Sequence, residues 1–316
     1  MNDVSIKIVN GTSDKLLPVN EKAIVIMSTY NGEKYIAQQL DSLIKQKHIS
    51  VSILIRDDGS TDNTVSILKE YKTKFDNIDY YLGDNLGVIG SFNDLLMRSE
   101  LEKYQYIAFC DQDDVWDDDK LVIAISYLMN EQYNTPLMYC SNLMLVDREL
   151  NSLRPMRKVI SKYTLEMSLI QNIGTGCTQV FNHQALMEYR KGIGMHMEMH
   201  DYWLTLECMF LGKIIYDNNP HISYRQHSDN VIGARDKDVS HAIYNLKSTG
   251  HRITMLKDFI NTYDLHMSDI NIINGIVLYD RSFINRIKLF FSVKYIGFDS
   301  RVTIGFKFRS IIKKLY

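Results

Sequence analysis

Apolar and polar positions alternate in a regular way between Ala23 and Leu128. Short apolar runs, "AIVIMS" (23–28), "VSILIRD" (51–57), "IDYYLG" (78–83) and "YQYIAFCD" (104–111), have the length and content of strands. Longer segments with helical spacing lie between them. In "EKYIAQQLDSLIKQ" (33–46), Tyr35, Ile36, Leu40, Leu43 and Ile44 form one face. "NTVSILKEYKTKF" (63–75), "SFNDLLMRSEL" (91–101, with Ser91 as N-cap) and "DKLVIAISYLMN" (119–130) complete the series. Strands alternating with helices predict βαβ units and a parallel sheet. Such sheets bind ligands beyond the carboxyl ends of their strands. The polar clusters fall there: "STYNGE", "DDGSTD", "GDNLG" and "DQDD".

Beyond residue 131 the texture changes. "LMYCSNLMLVD" (137–147) reads as a strand pair or hairpin, and "NIGTGCTQVFN" (172–182) as a glycine-bearing turn into a strand. "MHDYWLTLECMFLG" (199–212) reads as a helix opened by His200-Asp201, and "KIIYDNNPHISYRQH" (213–227) as a strand. From 240 onward the pattern is mainly helical. Residues 1–22 form a leader or an extra edge element, without the basic-then-apolar order of a signal peptide.

Composition excludes several classes. A net charge of -2 gives no reason to expect nucleic-acid binding, and no run of 18 apolar residues predicts a membrane span. The cysteines at 110, 140, 177 and 208 form no CxxC pair and read as buried reduced thiols.

The acidic stretch "DQDDVWDDDK" raises the chemical question. Asp117, Asp118 and Asp119 suit a helix N-terminus. Asp111, Asp113 and Asp114 directly follow a run that must be buried, so their repulsion calls for a cation or a ligand. Oxygen ligands of this kind suit Mg²⁺ or Mn²⁺ shared with substrate phosphates. An aspartyl phosphatase would place its nucleophile after the first strand, where this chain has "STYNG". A phosphate-binding GxxxxGK[ST] and a nicotinamide fingerprint are absent.

"VIMSTYNGEKYIAQQLDSLIKQ", "LIRDDGSTDNT", "NLGVIGSFNDLL" and "FCDQDDVW", in this order, resemble the nucleotide-sugar half of family 2 glycosyltransferases, which have the GT-A fold. "GTGC", "HDYWL" and "YRQHSDNVIGA" resemble the bacterial rhamnosyltransferase branch. The resemblance implies an α/β fold with a Rossmann-like, mostly parallel sheet flanked by helices and a C-terminal helical extension. It divides the chain into a leader (1–22), a GT-A domain (23–235, with a nucleotide-sugar half to 130 and an acceptor half from 131) and a basic, mainly helical extension (236–316).

By that resemblance Asp58 accepts from the N3–H of uracil or thymine, flanked by Ser28 and Tyr30. Asp111 lies near the ribose, Asp113 binds the metal and Asp114 supports either. Asp201 is the general base, although the family's usual Glu-Asp pair is here His200-Asp201. His200 is then a hydrogen-bond partner or exposed. His227 completes the metal site, and Arg225 faces the metal or diphosphate. Gly176 lies under the acceptor, with Trp203 beside it. The implied reaction is metal-dependent, inverting, non-processive transfer from dTDP-β-L-rhamnose, or from a UDP-hexose by the same motifs, to a saccharide acceptor that can be lipid-linked in cell-surface polysaccharide synthesis. A non-catalytic nucleotide-sugar-binding subunit is the rival of another class, and retention of Asp58, Asp113 and Asp201 together speaks against it, since a pure binder would not need the base. A nucleotidyltransferase would need a basic, glycine-rich loop where "STYNGEKY" stands.

From Arg281 onward, Lys and Arg stand at 281, 286, 288, 294, 301, 307, 309, 313 and 314, with Asp299 as the single acidic residue. Aromatics interleave. This pattern suits either a helix pair covering the core or attachment to an anionic membrane surface. The expected location is cytoplasmic, peripheral at the inner face of the membrane.

Overall fold

The structure, a computed structural model, describes residues 5–10, 22–132, 134–227 and 251–311. Its centre is a mixed, mostly parallel sheet. The strands are β1 (Ile6–Val9), β2 (Lys22–Thr29), β3 (Ser50–Asp57), β4 (Ile78–Leu82), β5 (Tyr106–Cys110), β6 (Val115–Trp116), β7 (Leu137–Val146), β8 (Ser152–Pro155), β9 (Val180–Asn182) and β10 (Lys213–Arg225). Their order is β1-β10-β7-β9-β5-β2-β3-β4, with β6 on β10 and β8 on β7. Pairings β5-β2, β2-β3 and β3-β4 are parallel, while β9 runs antiparallel to both β5 and β7. The expected extra edge element exists as β1, parallel to β10.

The strand runs are apolar throughout because helices cover both faces of the sheet. Along β2, Ala23, Val25 and Met27 enter one core, and Ile24 and Ile26 enter the other. The first core is closed by α1 (Ile36–Ile44), α2 (Thr64–Lys74) and α4 (Lys120–Leu128), through Leu40, Leu68 and Leu121 among others. The second is closed by α3 (Gly87–Leu96), α6 (His183–Lys191), α7 (His200–Leu211) and α8 (His251–Thr262). A one-turn α5 (Leu165–Ser168) precedes the 172–178 loop. Three helices follow α8: α9 (Met267–Val277), α10 (Phe283–Phe291) and α11 (Ser300–Ile311).

Two element assignments need correction. The third helix runs 87–96, so Ser91 is a buried mid-helix residue and not an N-cap. The N–H groups at the start of α3 are satisfied from the loop after β3: Asp58 accepts from Leu86 N–H (2.8 Å), at the N-cap, and from Gly87 N–H (2.9 Å). Gly87 has φ +69°, a left-handed conformation that favours glycine. The 137–147 segment is one long strand, and its hairpin partner is β8, further along the chain. "YRQHSDNVIGA" past His227 and the last residues of the basic tail lie outside the described residues.

The four cysteines are free and buried. Among the described residues, no helix is long and apolar enough to cross a membrane.

Candidate active site

The register fixes what converges. Met27 pairs with Cys110 and Thr29 with Asp57, so the ends of β2, β3 and β5 lie side by side. The loops that follow, together with the 172–176 loop and the start of α7, line a cavity of about 1020 Å³.

Ser28, Tyr30 and Asp58 line this cavity. The Ser28 hydroxyl donates to Ser91 (2.6 Å). Asp58 is buried, held by the two N–H groups of α3 and by an ion pair with Arg56. Arg56 also pairs with Asp94 (3.0 Å) and donates to the Asp84 carbonyl (2.9 Å). This guanidinium therefore orders the loop under the carboxylate. The loop above it is pinned by Gln112. Its Oε1 accepts from Thr29 (2.5 Å) and Tyr30 N–H (2.9 Å), and its Nε2 donates to the Tyr30 carbonyl (3.1 Å).

Asp111, Asp113 and His227 line it as well. His227 Nε2 is 2.8 Å from Asp113 Oδ2, and its ring stacks on Tyr35 at 4.8 Å. Burial, then the negative charges of Asp113 and Asp201, push the Asp111 carboxyl up. Asp114 is also raised, by burial and then by Asp113 and Asp111. Asp114 is fully buried and turned away from the cavity. One oxygen accepts Arg225 N–H (3.2 Å) and the other is unpartnered. Asp111, Asp114 and Cys177 bring ligand-type atoms within 4.8 Å of one another. Crowded carboxylates with raised affinity for protons are a donor set that fits a divalent cation. Of these groups Asp111, Asp113 and His227 line the cavity, and Asp114 and Cys177 do not.

Beyond them stands Asp201. The N-cap position of α7 is Met199, and Asp201 occupies the first turn. Its Oδ2 accepts Gly176 N–H at 3.0 Å. Burial raises its pKa to about 6, and the Gly176 hydrogen bond offsets part of that rise. A carboxylate ionised at neutral pH, yet costly to ionise, suits proton abstraction.

Several expected site residues have other roles. His200 is neither exposed nor hydrogen-bonded: it stacks on Phe92 (4.0 Å), its edge meets Phe109, and both ring nitrogens are unpartnered. Burial lowers its pKa to about 3, so it stays neutral. Trp203 is a core residue, because the helix face after Asp201 turns inward. Its indole N–H donates to Tyr263 (3.0 Å), and its ring meets Phe259 of α8 edge-on. The Arg225 guanidinium points into the scaffold. It donates to the Asp113 carbonyl (2.9 Å), the Arg148 carbonyl and Gln38 (2.6 Å), and lies over the Tyr35 ring. It props Asp113 and Tyr35 from behind. Gly176 does line the cavity, but its close neighbours are protein. An added Cβ would stand 3.2 Å from His200 Nε2 and 3.4 Å from the Asp201 Cβ.

Residues not foreseen from the sequence include Gln112, Arg56, Arg157, Glu198 and Arg252. Gln112 and Arg56 stand inside the motifs, at positions that read as spacers. Arg252 comes from α8 and donates to Glu198 (2.8 and 3.0 Å) at the cavity wall.

The profile of glycosyl transferase family 2 matches residues 24–190, more than half of the chain. The chain belongs to glycosyl transferase family 2. As a family 2 member it is a glycosyltransferase, and its fold is of the GT-A type. It is 34% identical over 227 residues to the dTDP-rhamnosyl transferase RfbG of Shigella flexneri, covering 66% of this chain and 74% of that protein. Among solved structures it resembles S. aureus TarS 1–349 in complex with UDP-GlcNAc, with a TM-score of 0.57 and 16% identity over 93% of this chain and 79% of that one. It also resembles the mannosyltransferase PcManGT of Pyrobaculum calidifontis in complex with GDP-Man and Mn²⁺, with a TM-score of 0.51 and 16% identity over 84% of this chain and 71% of that one. At such identities these likenesses speak for the shared fold.

Proposed function

We propose that the protein is an inverting, metal-dependent glycosyltransferase that moves one sugar from a nucleotide donor to a saccharide acceptor in cell-surface polysaccharide synthesis. What supports this reading is that one cavity gathers a buried Asp58, the contact pair Asp113 and His227, and Asp201. Asp58, with Ser28 and Tyr30, receives the base. Asp113 and His227 hold Mg²⁺ or Mn²⁺, with Asp111 beside them. When bound, the cation neutralises the leaving diphosphate. Asp201 takes the proton of the acceptor hydroxyl as that oxygen attacks the anomeric carbon from the face opposite the diphosphate. Burial raises the affinity of the Asp201 carboxylate for a proton, and Gly176 N–H holds one of its oxygens in place. The similarity to RfbG favours dTDP-β-L-rhamnose as donor, which inversion converts to an α-linked product.

The C-terminal helices suit a membrane-bound acceptor. Phe283, Ile284, Phe291, Val293, Ile304 and Phe308 are exposed on or next to α10 and α11. Arg281, Lys288, Lys294 and Arg301 are exposed among them. Aromatics with cations at one surface favour an anionic bilayer face. Failure to bind anionic vesicles would remove this part of the reading.

The deciding experiment is donor binding by calorimetry with dTDP-rhamnose, UDP-glucose, UDP-galactose and UDP-N-acetylglucosamine, with Mn²⁺ or chelator, for wild type and Asp113→Ala. The expected result is metal-dependent binding of dTDP-rhamnose that the substitution weakens. Preference for a UDP sugar discards rhamnose and keeps the mechanism. Absence of any donor binding with metal present refutes the reading.

A further inference from the structure

Two guanidinium groups line the cavity among the described residues, Arg157 and Arg252. They differ in one respect. Arg252 spends its charge on Glu198. Arg157 forms no ion pair with any described carboxylate. Its backbone is fixed to β7, since its N–H donates to Asn142 Oδ1 (3.1 Å) and its carbonyl accepts from Asn142 Nδ2 (2.8 Å). The side chain is only loosely engaged. Nη2 reaches the Asn172 carbonyl and the Thr175 hydroxyl at 3.4 Å each, the outer limit of a hydrogen bond. Nη1 is buried beside the Tyr216 hydroxyl, and neither atom makes a well-formed hydrogen bond. The Phe298 ring stands 5.5 Å from the guanidinium carbon. A cation held in a half-buried wall without a counter-ion is unfavourable unless an anion arrives. A guanidinium offers a planar fork that matches phosphate or carboxylate.

We infer that Arg157 forms an anion subsite for the acceptor, reading a phosphate or carboxylate carried on or next to the sugar that is extended. The inference rests on the transferase reading above. The subsite belongs to the acceptor end because Arg157 and Asp201 flank the same loop. Arg157 reaches Asn172 and Thr175, while Asp201 accepts from Gly176. The Arg157 charge also lowers the affinity of Asp201 for its proton. The proposed diphosphate end, at Asp113 and His227, is tied instead to Tyr35 and the end of β10. Arg157 thus acts on specificity and does not touch the reacting atoms.

The test uses the full chain with Mn²⁺ and saturating UDP or dTDP, whichever binds. The probes are N-acetylglucosamine 1-phosphate with neutral methyl N-acetylglucosaminide, and glucuronate with neutral methyl glucoside, followed by ligand-observed NMR. One anionic probe is expected to bind roughly tenfold tighter than its neutral counterpart, the scale of one charge-assisted pair. Arg157→Gln should abolish that advantage, Arg157→Lys should keep part of it, and nucleotide affinity should not change in either. A phosphate advantage identifies a phosphate-bearing acceptor, and a carboxylate advantage an acidic sugar. Equal affinities for charged and neutral probes, or an advantage that survives Arg157→Gln, would overturn the inference. A drop in nucleotide affinity in folded Arg157→Gln would overturn it as well, by assigning the guanidinium to the donor. Failure of wild type to bind either nucleotide would instead sink the transferase reading, and this one with it.

Discussion

Replacing Asp201 by Asn should cost activity and gain stability, and the two effects have one cause. Burial raises the Asp201 pKa from an ordinary 3.8 to about 6. Each unit of such a shift corresponds to ~1.4 kcal/mol, so ionising this carboxyl in the folded state costs at most ~3 kcal/mol. The side chain lines an open cavity and is only partly buried, and solvent screening reduces the expected figure to about 1–2 kcal/mol. The sign follows from the raised folded value. The protonated form carries no penalty below pH 4, and the penalty grows as pH rises from about 4 through about 6. Asn keeps an oxygen for Gly176 N–H and never ionises. Asp201→Asn should therefore be more stable than wild type at pH 8 in denaturant titration, and equal to it near pH 4. Transfer should fall by roughly 10²–10⁴, the usual worth of a general base. The acid limb of wild-type activity should lie near pH 6. A variant that is less stable at pH 8 would show that the carboxylate anchors the loop, and would refute the burial argument.

His227→Ala should weaken donor binding at least several-fold with Mn²⁺ present and leave the chelator-treated value unchanged; equal losses in both conditions would mean that the imidazole supports Tyr35 and not a metal. Trp203→Ala should destabilise the fold by about 3–5 kcal/mol, the cost of truncating a fully buried aromatic, with nucleotide affinity of the folded fraction intact. Loss of acceptor binding without loss of stability would restore the acceptor role expected from the sequence. Arg157→Gln should move the acid limb of the activity profile to higher pH, because it removes a positive charge that holds the Asp201 pKa down; a limb that stays in place would show that the two groups are screened from each other.

The convergence of the strand-end residues was legible because its signals are local. Strand runs apolar on both faces, each ending in a polar cluster, placed Ser28, Tyr30, Asp58, Asp111 and Asp113 along one sheet edge, and the cavity gathers all five. The misplaced start of α3 had a non-local cause, since its cap is Asp58, about thirty positions earlier in the chain. Trp203 and Arg225 failed for another reason. Residues 202–209 are buried on every side, so no helical periodicity distinguishes a cavity face from a core face. An arginine two residues before a cavity-lining histidine reads the same whether it points forward or backward. Arg157 and Arg252 carry no pattern at all. Each acquires meaning from a partner brought by the fold, or, for Arg157, from the carboxylate partner it lacks.

The chain has two tryptophans, and the fold puts one behind each half of the cavity. Trp116 lies two residues past Asp114, with the Lys120 ammonium 3.2 Å from its ring centre. Trp203 sits on the helix of Asp201, with its indole N–H bonded to Tyr263. Both are buried in fixed, dissimilar surroundings. A variant keeping Trp116 alone is therefore an optical reporter of the acidic loop, and one keeping Trp203 alone reports on the helix of Asp201. Stopped-flow emission from the two would separate the order in which donor and acceptor engage, without any attached dye.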